Sequence, residues 1–181
     1  MVNKLQIFVL GSMLLLIADV RAAELSLGVG ATAYQTDYLT GNAEFDSADH
    51  DGTDIKATFA IHNVYGEYQR HKVGVGLDYF NVNDQRLIGY RALDYRYQVS
   101  RRFQGGLFLG AASLDSGIPQ NGYYGGVNLG LLDAVFDTDI MFEINIGSGL
   151  ARDRTGTDVP GEKPDIFLDF IASSITLQKR F

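Results

Sequence analysis

The chain has 181 residues, a net charge of -7, no cysteine and no tryptophan, with 21 glycines beside 10 tyrosines and 11 phenylalanines. That length holds one domain. The missing cysteine excludes a disulfide scaffold, a zinc finger and an iron–sulfur protein, and the acidic balance argues against a nucleic-acid surface.

Residues 1–22 read as a secretory signal peptide. Lys4 supplies the positive start, Leu5 to Ile17 an apolar run, and Val20-Arg21-Ala22 a small-x-small cleavage site. The run is about 13 residues, short of the roughly 20 that a spanning helix needs. The expected mature domain is 23–181.

From there the chain alternates with a period of two, the signature of strands with one apolar face. In the first segment Leu25, Leu27, Val29, Ala31 and Ala33 oppose Ser26, Gly28, Gly30, Thr32 and Tyr34. In the second, Ile55, Ala57, Phe59 and Ile61 oppose Lys56, Thr58, Ala60 and His62; in the third, Val73, Val75, Leu77 and Tyr79 oppose Lys72, Gly74, Gly76 and Asp78. The fourth has Leu93, Tyr95, Tyr97 and Val99 against Ala92, Asp94, Arg96 and Gln98, with Arg91 falling out of place on the apolar side. The fifth sets Phe103, Leu107 and Leu109 against Gln104, Gly106 and Phe108, and the sixth sets Tyr123, Val127, Leu129 and Leu131 against Tyr124, Gly126, Asn128 and Gly130. In the seventh, Ile140, Phe142, Ile144 and Ile146 face away from Asp139, Met141, Glu143 and Asn145. The eighth, from about Ile166 to Phe181, carries Phe167, Ile171, Ile175, Leu177 and Phe181 on one row, shared with Asp169, Ser173 and Lys179.

The connections also alternate. Tyr38–Gly52, Ser113–Asn121 and Ala151–Pro164 are long or medium, whereas Glu67–His71, Asn83–Arg86, Ser100–Arg102 and Leu132–Phe136 are short. Three of the four links at one end are long and all three at the other are short, the mark of a transmembrane barrel with short periplasmic turns and longer extracellular loops. A soluble barrel would turn its apolar face inward around a ligand. Here the second face is rich in Gly and Ala, as a packed eight-strand lumen requires. Tyr95, Tyr97, Phe103 and Phe181 gather toward one rim, Tyr79 and Tyr123 toward the other, as an aromatic girdle would. The predicted fold is all-β: an eight-stranded antiparallel transmembrane β-barrel of up-and-down topology.

With its export signal, eight alternating strands and terminal Phe181, the chain resembles the small eight-stranded outer-membrane β-barrel proteins of Gram-negative bacteria, the OmpA/OmpX-like class. The resemblance spans Ala23 to Phe181. It implies that the C-terminal strand is the signal read by the barrel-assembly machinery, a role falling here on Ile175, Leu177 and Phe181. Lys179 departs from the apolar alternation of that signal. The partners it implies are outer-membrane lipid and lipopolysaccharide, the assembly machinery and periplasmic chaperones, with no nucleic acid and a monomeric state.

Three groups of residues are candidate sites. Lys56, His62, Asp78, Asp94, Arg96 and Glu143 would share the lumen, where charges are costly unless paired. Arg96 is the expected partner of Asp78, Asp94 or Glu143. The first loop carries Asp37, Glu44, Asp46, Asp49, Asp51 and Asp54 with no Lys or Arg, hard oxygen ligands that suit weakly bound Ca²⁺ or Mg²⁺. It lacks the spacing of a calcium loop. Arg152 and Arg154 in the last loop could meet lipopolysaccharide phosphates. No catalytic residue, resident cofactor or metal is expected. His62 with Ser113, Ser116 or Ser148 leaves a lipid A-modifying enzyme as the third reading, behind a narrow channel for small solutes or ions. The first is a structural or surface-interaction protein.

Overall fold

The computed structural model describes residues 23–40, 50–66, 68–114, 121–152 and 166–181. The predicted signal peptide, Glu44, Asp46, Asp49, Ser116 and Arg154 lie outside them. Eight strands follow in order: β1 (Ala23–Thr40), β2 (His50–Tyr65), β3 (His71–Val82), β4 (Gln85–Gln98), β5 (Phe103–Leu114), β6 (Asn121–Val135), β7 (Thr138–Arg152) and β8 (Ile166–Arg180). Each pairs antiparallel with the next, and β8 returns to β1 to close the barrel. The closing register runs from Ser26 opposite Arg180 to Thr40 opposite Ile166. Beyond it Phe181 N donates to Leu25 O at 2.8 Å and Leu25 N donates to Phe181 O at 3.2 Å. The terminal residue therefore completes the seam. A closed sheet leaves no edge strand, the condition for placing strands in lipid.

The faces divide as the period of two predicts. Ile55, Leu109 and Leu129 point outward and are 60–68% exposed, whereas their neighbours Lys56 and Phe108, and Met141 across the lumen wall, are fully buried. Exposed leucine, isoleucine and valine recur on the outward rows of β1, β2 and β4–β8, and β3 adds Leu77. Such a band is intelligible only against hydrocarbon, because monomers in water do not carry apolar patches of this extent. Ile175 and Leu177 stand in it, and Phe181 is exposed just beyond. Lys179, on the same row, donates from Nζ to Asp137 O at 3.2 Å and so holds the neighbouring β6–β7 turn.

The lumen is filled in layers. At the end away from the chain termini, Phe80, Phe108, Tyr124, Leu150, Leu168 and Phe170 belong to one buried apolar cluster. Phe80 meets Phe170 edge-on at 5.9 Å, and Tyr124 lies 5.3 Å from Phe108 and 6.4 Å from Phe170. Glycines make room for these rings. A Cβ at Gly89 would stand 2.6 Å from the Tyr124 ring, and one at Gly147 would collide with Phe170. Small and large residues thus alternate around the interior, as a narrow barrel demands.

The turns explain themselves locally. Asn83 and Asp84 have φ of 50° and 61°, and Phe136 and Asp137 have 48° and 55°, so both hairpins close with two left-handed residues matched to strand twist. At β4–β5, Val99 N and Ser100 N donate to Phe103 O, and Ser100 Oγ accepts from Arg102 N and Phe103 N.

Two sequence expectations need correction. The first loop was expected to span Tyr38–Gly52, but β1 continues to Thr40 and β2 begins at His50, so Asp51 and Asp54 stand on a strand. The fourth strand was expected to have Arg91 on its apolar side. The pairing of β4 with β5 shifts between Arg91 and Leu93, and that of β3 with β4 shifts between Gly74 and Gly76. One extra residue in β4 changes the phase: Leu87, Gly89 and Arg91 point inward above the bulge, Asp94 and Arg96 below it. Arg91 is fully buried in the lumen.

Gly147→Val should overpack the Phe170 contact and cost about 1–3 kcal/mol. The check is the temperature at which the compact folded band is lost on a gel. Gly105→Ala, whose added Cβ meets Leu129 Cδ2 at 3.5 Å and Asn128 O at 3.9 Å, both ordinary contacts, should leave that temperature unchanged.

Candidate functional site: the charged lumen

Below the aromatic layer β2, β3, β4 and β7 contribute ionised or ionisable side chains. Lys56 and His62 come from β2, Asp78 from β3, Arg91, Asp94 and Arg96 from β4, and Glu143 from β7. All seven are buried. Their inward direction follows from strand alternation, and for Arg91 from the bulge.

Arg91 is the hub. Its Nε and Nη2 donate to both oxygens of Asp78 at 2.9 and 2.8 Å, Nη2 also reaches Glu143 Oε2 at 2.8 Å, and Nη1 reaches Asp94 Oδ2 at 3.3 Å. The planar guanidinium matches a carboxylate with two parallel hydrogen bonds. Its face lies 4.0 Å over the Phe108 ring, which joins the charged layer to the apolar one. Lys56 Nζ donates to Glu143 Oε2 at 2.6 Å and to Ser174 Oγ at 3.4 Å, and lies 3.6 Å from Asp78 Oδ2. Tyr124 OH donates to Asp78 Oδ2 at 2.5 Å.

Arg96 forms a second group. Its Nε and Nη2 donate to Asp94 at 3.1 and 3.0 Å, its Nη1 donates to Gln178 Oε1 at 3.1 Å, and His62 Nε2 lies 3.4 Å from Asp94 Oδ1. Asp94 joins the two groups, because Arg91 and Arg96 both reach it. The cations Lys56, Arg91 and Arg96 match the anions Asp78, Asp94 and Glu143 in number, so the layer is neutral with His62 uncharged. Removing one member of such a set leaves an uncompensated buried charge, whereas the complete set is tolerated.

A third group closes the end where the termini meet. Lys72 Nζ contacts both oxygens of Glu24 at 2.7 and 2.8 Å. Arg180 reaches Asp139 at 2.7 Å and Asp133 at 2.6 Å, and Asp133 N donates to Asp139 Oδ1 at 2.9 Å. From top to bottom the lumen is aromatic plug, neutral ion network and rim of ion pairs.

All six predicted lumen residues meet inside the barrel, and Arg96 pairs with Asp94, one of its three expected partners. The other two, Asp78 and Glu143, go to Arg91 and Lys56. Arg91, Tyr124, Ser174 and Gln178 were missed as partners. The signal for Arg91 was present: a charged residue on a row meant for lipid costs about 2–4 kcal/mol at mid-membrane, so the anomaly itself called for a bulge. The other candidates do not come together. Asp51 is exposed on β2, Asp54 accepts from Asn81 N across the sheet, and the backbone of Arg152 ends β7. Among the described residues no group of carboxylates and histidines forms a metal-binding cluster. Ser148 is exposed on β7, the contacts of His62 and His71 run to Asp94, Tyr95 and Tyr97, and none of those contacts runs to a serine.

Arg91→Met should lower stability by about 3–5 kcal/mol by stranding Asp78 and Glu143. A second change, Glu143→Gln, should recover part of that loss. Chemical unfolding in detergent across the four proteins of the double-mutant cycle measures both effects.

Solved structures of similar fold include three bacterial proteins. One is Ail, the attachment invasion locus protein of Yersinia pestis, in complex with the heparin analogue sucrose octasulfate: 9% identity, 86% of this chain and 98% of that chain, TM-score 0.48. The outer membrane protein OprG from Pseudomonas aeruginosa shares 12% identity over 88% of this chain and 96% of its own, with a TM-score of 0.43. Neisserial surface protein A shares 9% over 83% and 96%, at 0.40. No family model and no curated protein matches the chain. The barrel's own geometry, apolar outside and neutralised inside, makes it a small eight-stranded β-barrel of the outer-membrane type.

Proposed function

We propose that this protein is a non-catalytic resident of the Gram-negative outer membrane, a structural or surface-interaction barrel that presents its outer loops from a rigid base. Its surroundings are lipid and lipopolysaccharide, and it reaches them as a monomer through the periplasmic chaperones and the assembly machinery, with Ile175, Leu177 and Phe181 as the assembly signal. The observation that carries this reading is the filled, charge-neutral lumen inside an apolar wall. A lumen used for transport needs a continuous polar path, and here Phe80, Phe108, Tyr124 and Phe170 occupy the upper interior. A lipid A-modifying hydrolase or transferase of the kind considered from sequence needs a nucleophile within hydrogen-bond reach of its base. The buried His62 instead faces a carboxylate already held by Arg96. The acidic residues Glu44, Asp46, Asp49 and Asp51 remain proposed weak Ca²⁺ or Mg²⁺ contacts, and Arg152 and Arg154 proposed contacts for lipopolysaccharide phosphates.

Protein folded in detergent should give a β-type circular dichroism spectrum and migrate differently before and after boiling. In planar bilayers it should produce no stable conductance steps, and its expression should leave lipid A unchanged. Steps that shift when Glu143 is neutralised would favour the channel, and altered lipid A would favour the enzyme.

A further inference from the structure

The basic side chains at one end of the barrel are not treated alike. At the end where the termini meet, Lys72 and Arg180 are each paired with carboxylates. Arg70, Arg101 and Arg102 at the same end are exposed, and among the described residues none pairs with a carboxylate. They come from two adjacent turns that are fastened in place. Arg70 O accepts from Gln98 N at 2.8 Å, which ties the β2–β3 turn to the end of β4. Arg102 O accepts from Leu132 N at 2.8 Å, and the Ser100 hydroxyl holds Arg102 N at 3.3 Å. The Arg70 guanidinium lies 5.5 Å over the ring of the exposed Tyr68.

Their height relative to lipid is set by the same chain segment. Val99 and Phe103 flank Arg101 and Arg102 and are 62% and 58% exposed, and Phe103 begins the outward apolar row that continues through Leu107 and Leu109. The arginines therefore stand one step beyond the hydrocarbon, at the level of lipid phosphates, with aromatic rings beside them. Aromatic and basic side chains share that level because each has an apolar part and a polar tip. A guanidinium offers a phosphate two parallel hydrogen bonds.

We propose that Arg70, Arg101 and Arg102 form a clamp for the phosphate of an anionic phospholipid in the inner leaflet, fixing the barrel's depth and direction in the membrane. This rests on the membrane reading above. Each basic side chain near an anionic surface favours it by about fivefold, so the three together give a preference of well over tenfold.

The test is to fold the chain in mixed micelles with equal phosphatidylglycerol and phosphatidylcholine, and to weigh the lipids that co-purify. The wild type should retain phosphatidylglycerol in roughly tenfold excess or more, and the excess should fall as salt is raised. The triple variant Arg70→Gln, Arg101→Gln, Arg102→Gln should keep its heat-dependent gel shift and lose the excess. The triple lysine variant should keep most of it. A wild-type ratio near one, or an excess that survives the glutamines in a protein that still folds, overturns the clamp. A chain that stays soluble and monomeric without detergent overturns the membrane reading itself, and a folded, heat-modifiable barrel with a lipid ratio near one overturns only the clamp.

Discussion

A guanidinium sealed in a narrow lumen, between an apolar wall and an aromatic plug, sets the terms for the rest of this barrel. Arg91 has no access to water, so its charge must be met where it stands. Asp78, Asp94 and Glu143 meet it from β3, β4 and β7, and those anions in turn need Lys56, Arg96 and Tyr124. One buried cation thereby joins side chains far apart in sequence, with Lys56 and Glu143 separated by 87 residues. Misregister of any strand in this set would move a charge to the lipid side, because a slip of one residue inverts both faces. The network is thus a check on register as well as a contribution to packing.

Much of the architecture was legible from sequence because a period of two survives tilt, twist and closure. β7 shows it most clearly: Ile140, Phe142, Ile144 and Ile146 against Asp139, Met141, Glu143 and Asn145 leave one way to orient the strand. β8 is the roughest of the eight in pattern, because Asp169, Ser173 and Lys179 share its outward row with Phe167, Ile171, Ile175 and Leu177. What could not be read was the pairing within the lumen. Whether Arg96 meets Asp94 or Glu143 depends on strand stagger, a property of the closed sheet and not of any one segment. The bulge leaves a single trace in the sequence, Arg91 on a row meant for lipid, while its position follows only from the register break between Gly76, opposite Arg91, and Gly74, opposite Asp94. The acidic first loop was legible as chemistry, yet Glu44, Asp46 and Asp49 fall outside the described residues.

The interior changes character along its axis, and this is what gives the functional reading its shape. The outer half is shut by aromatic rings seated against glycines, the middle is neutral and hydrogen-bonded, and the inner rim is bound by Lys72–Glu24 and Arg180–Asp139. A wall so filled has its chemical variety left for the surfaces, where loops meet the outside and arginines meet the inner leaflet.

The central claim is that this barrel faces lipid with one row of each strand and encloses the other. The absence of native tryptophan permits a direct measurement with two single-tryptophan variants, Leu109→Trp and Phe108→Trp, each reconstituted in vesicles with brominated acyl chains. The two positions are adjacent on β5 and sit at the same depth on opposite faces. Strong quenching at position 109 with little at 108 is the predicted result. Equal quenching at both, or quenching at 108 alone, would contradict the inside-out arrangement on which the rest depends.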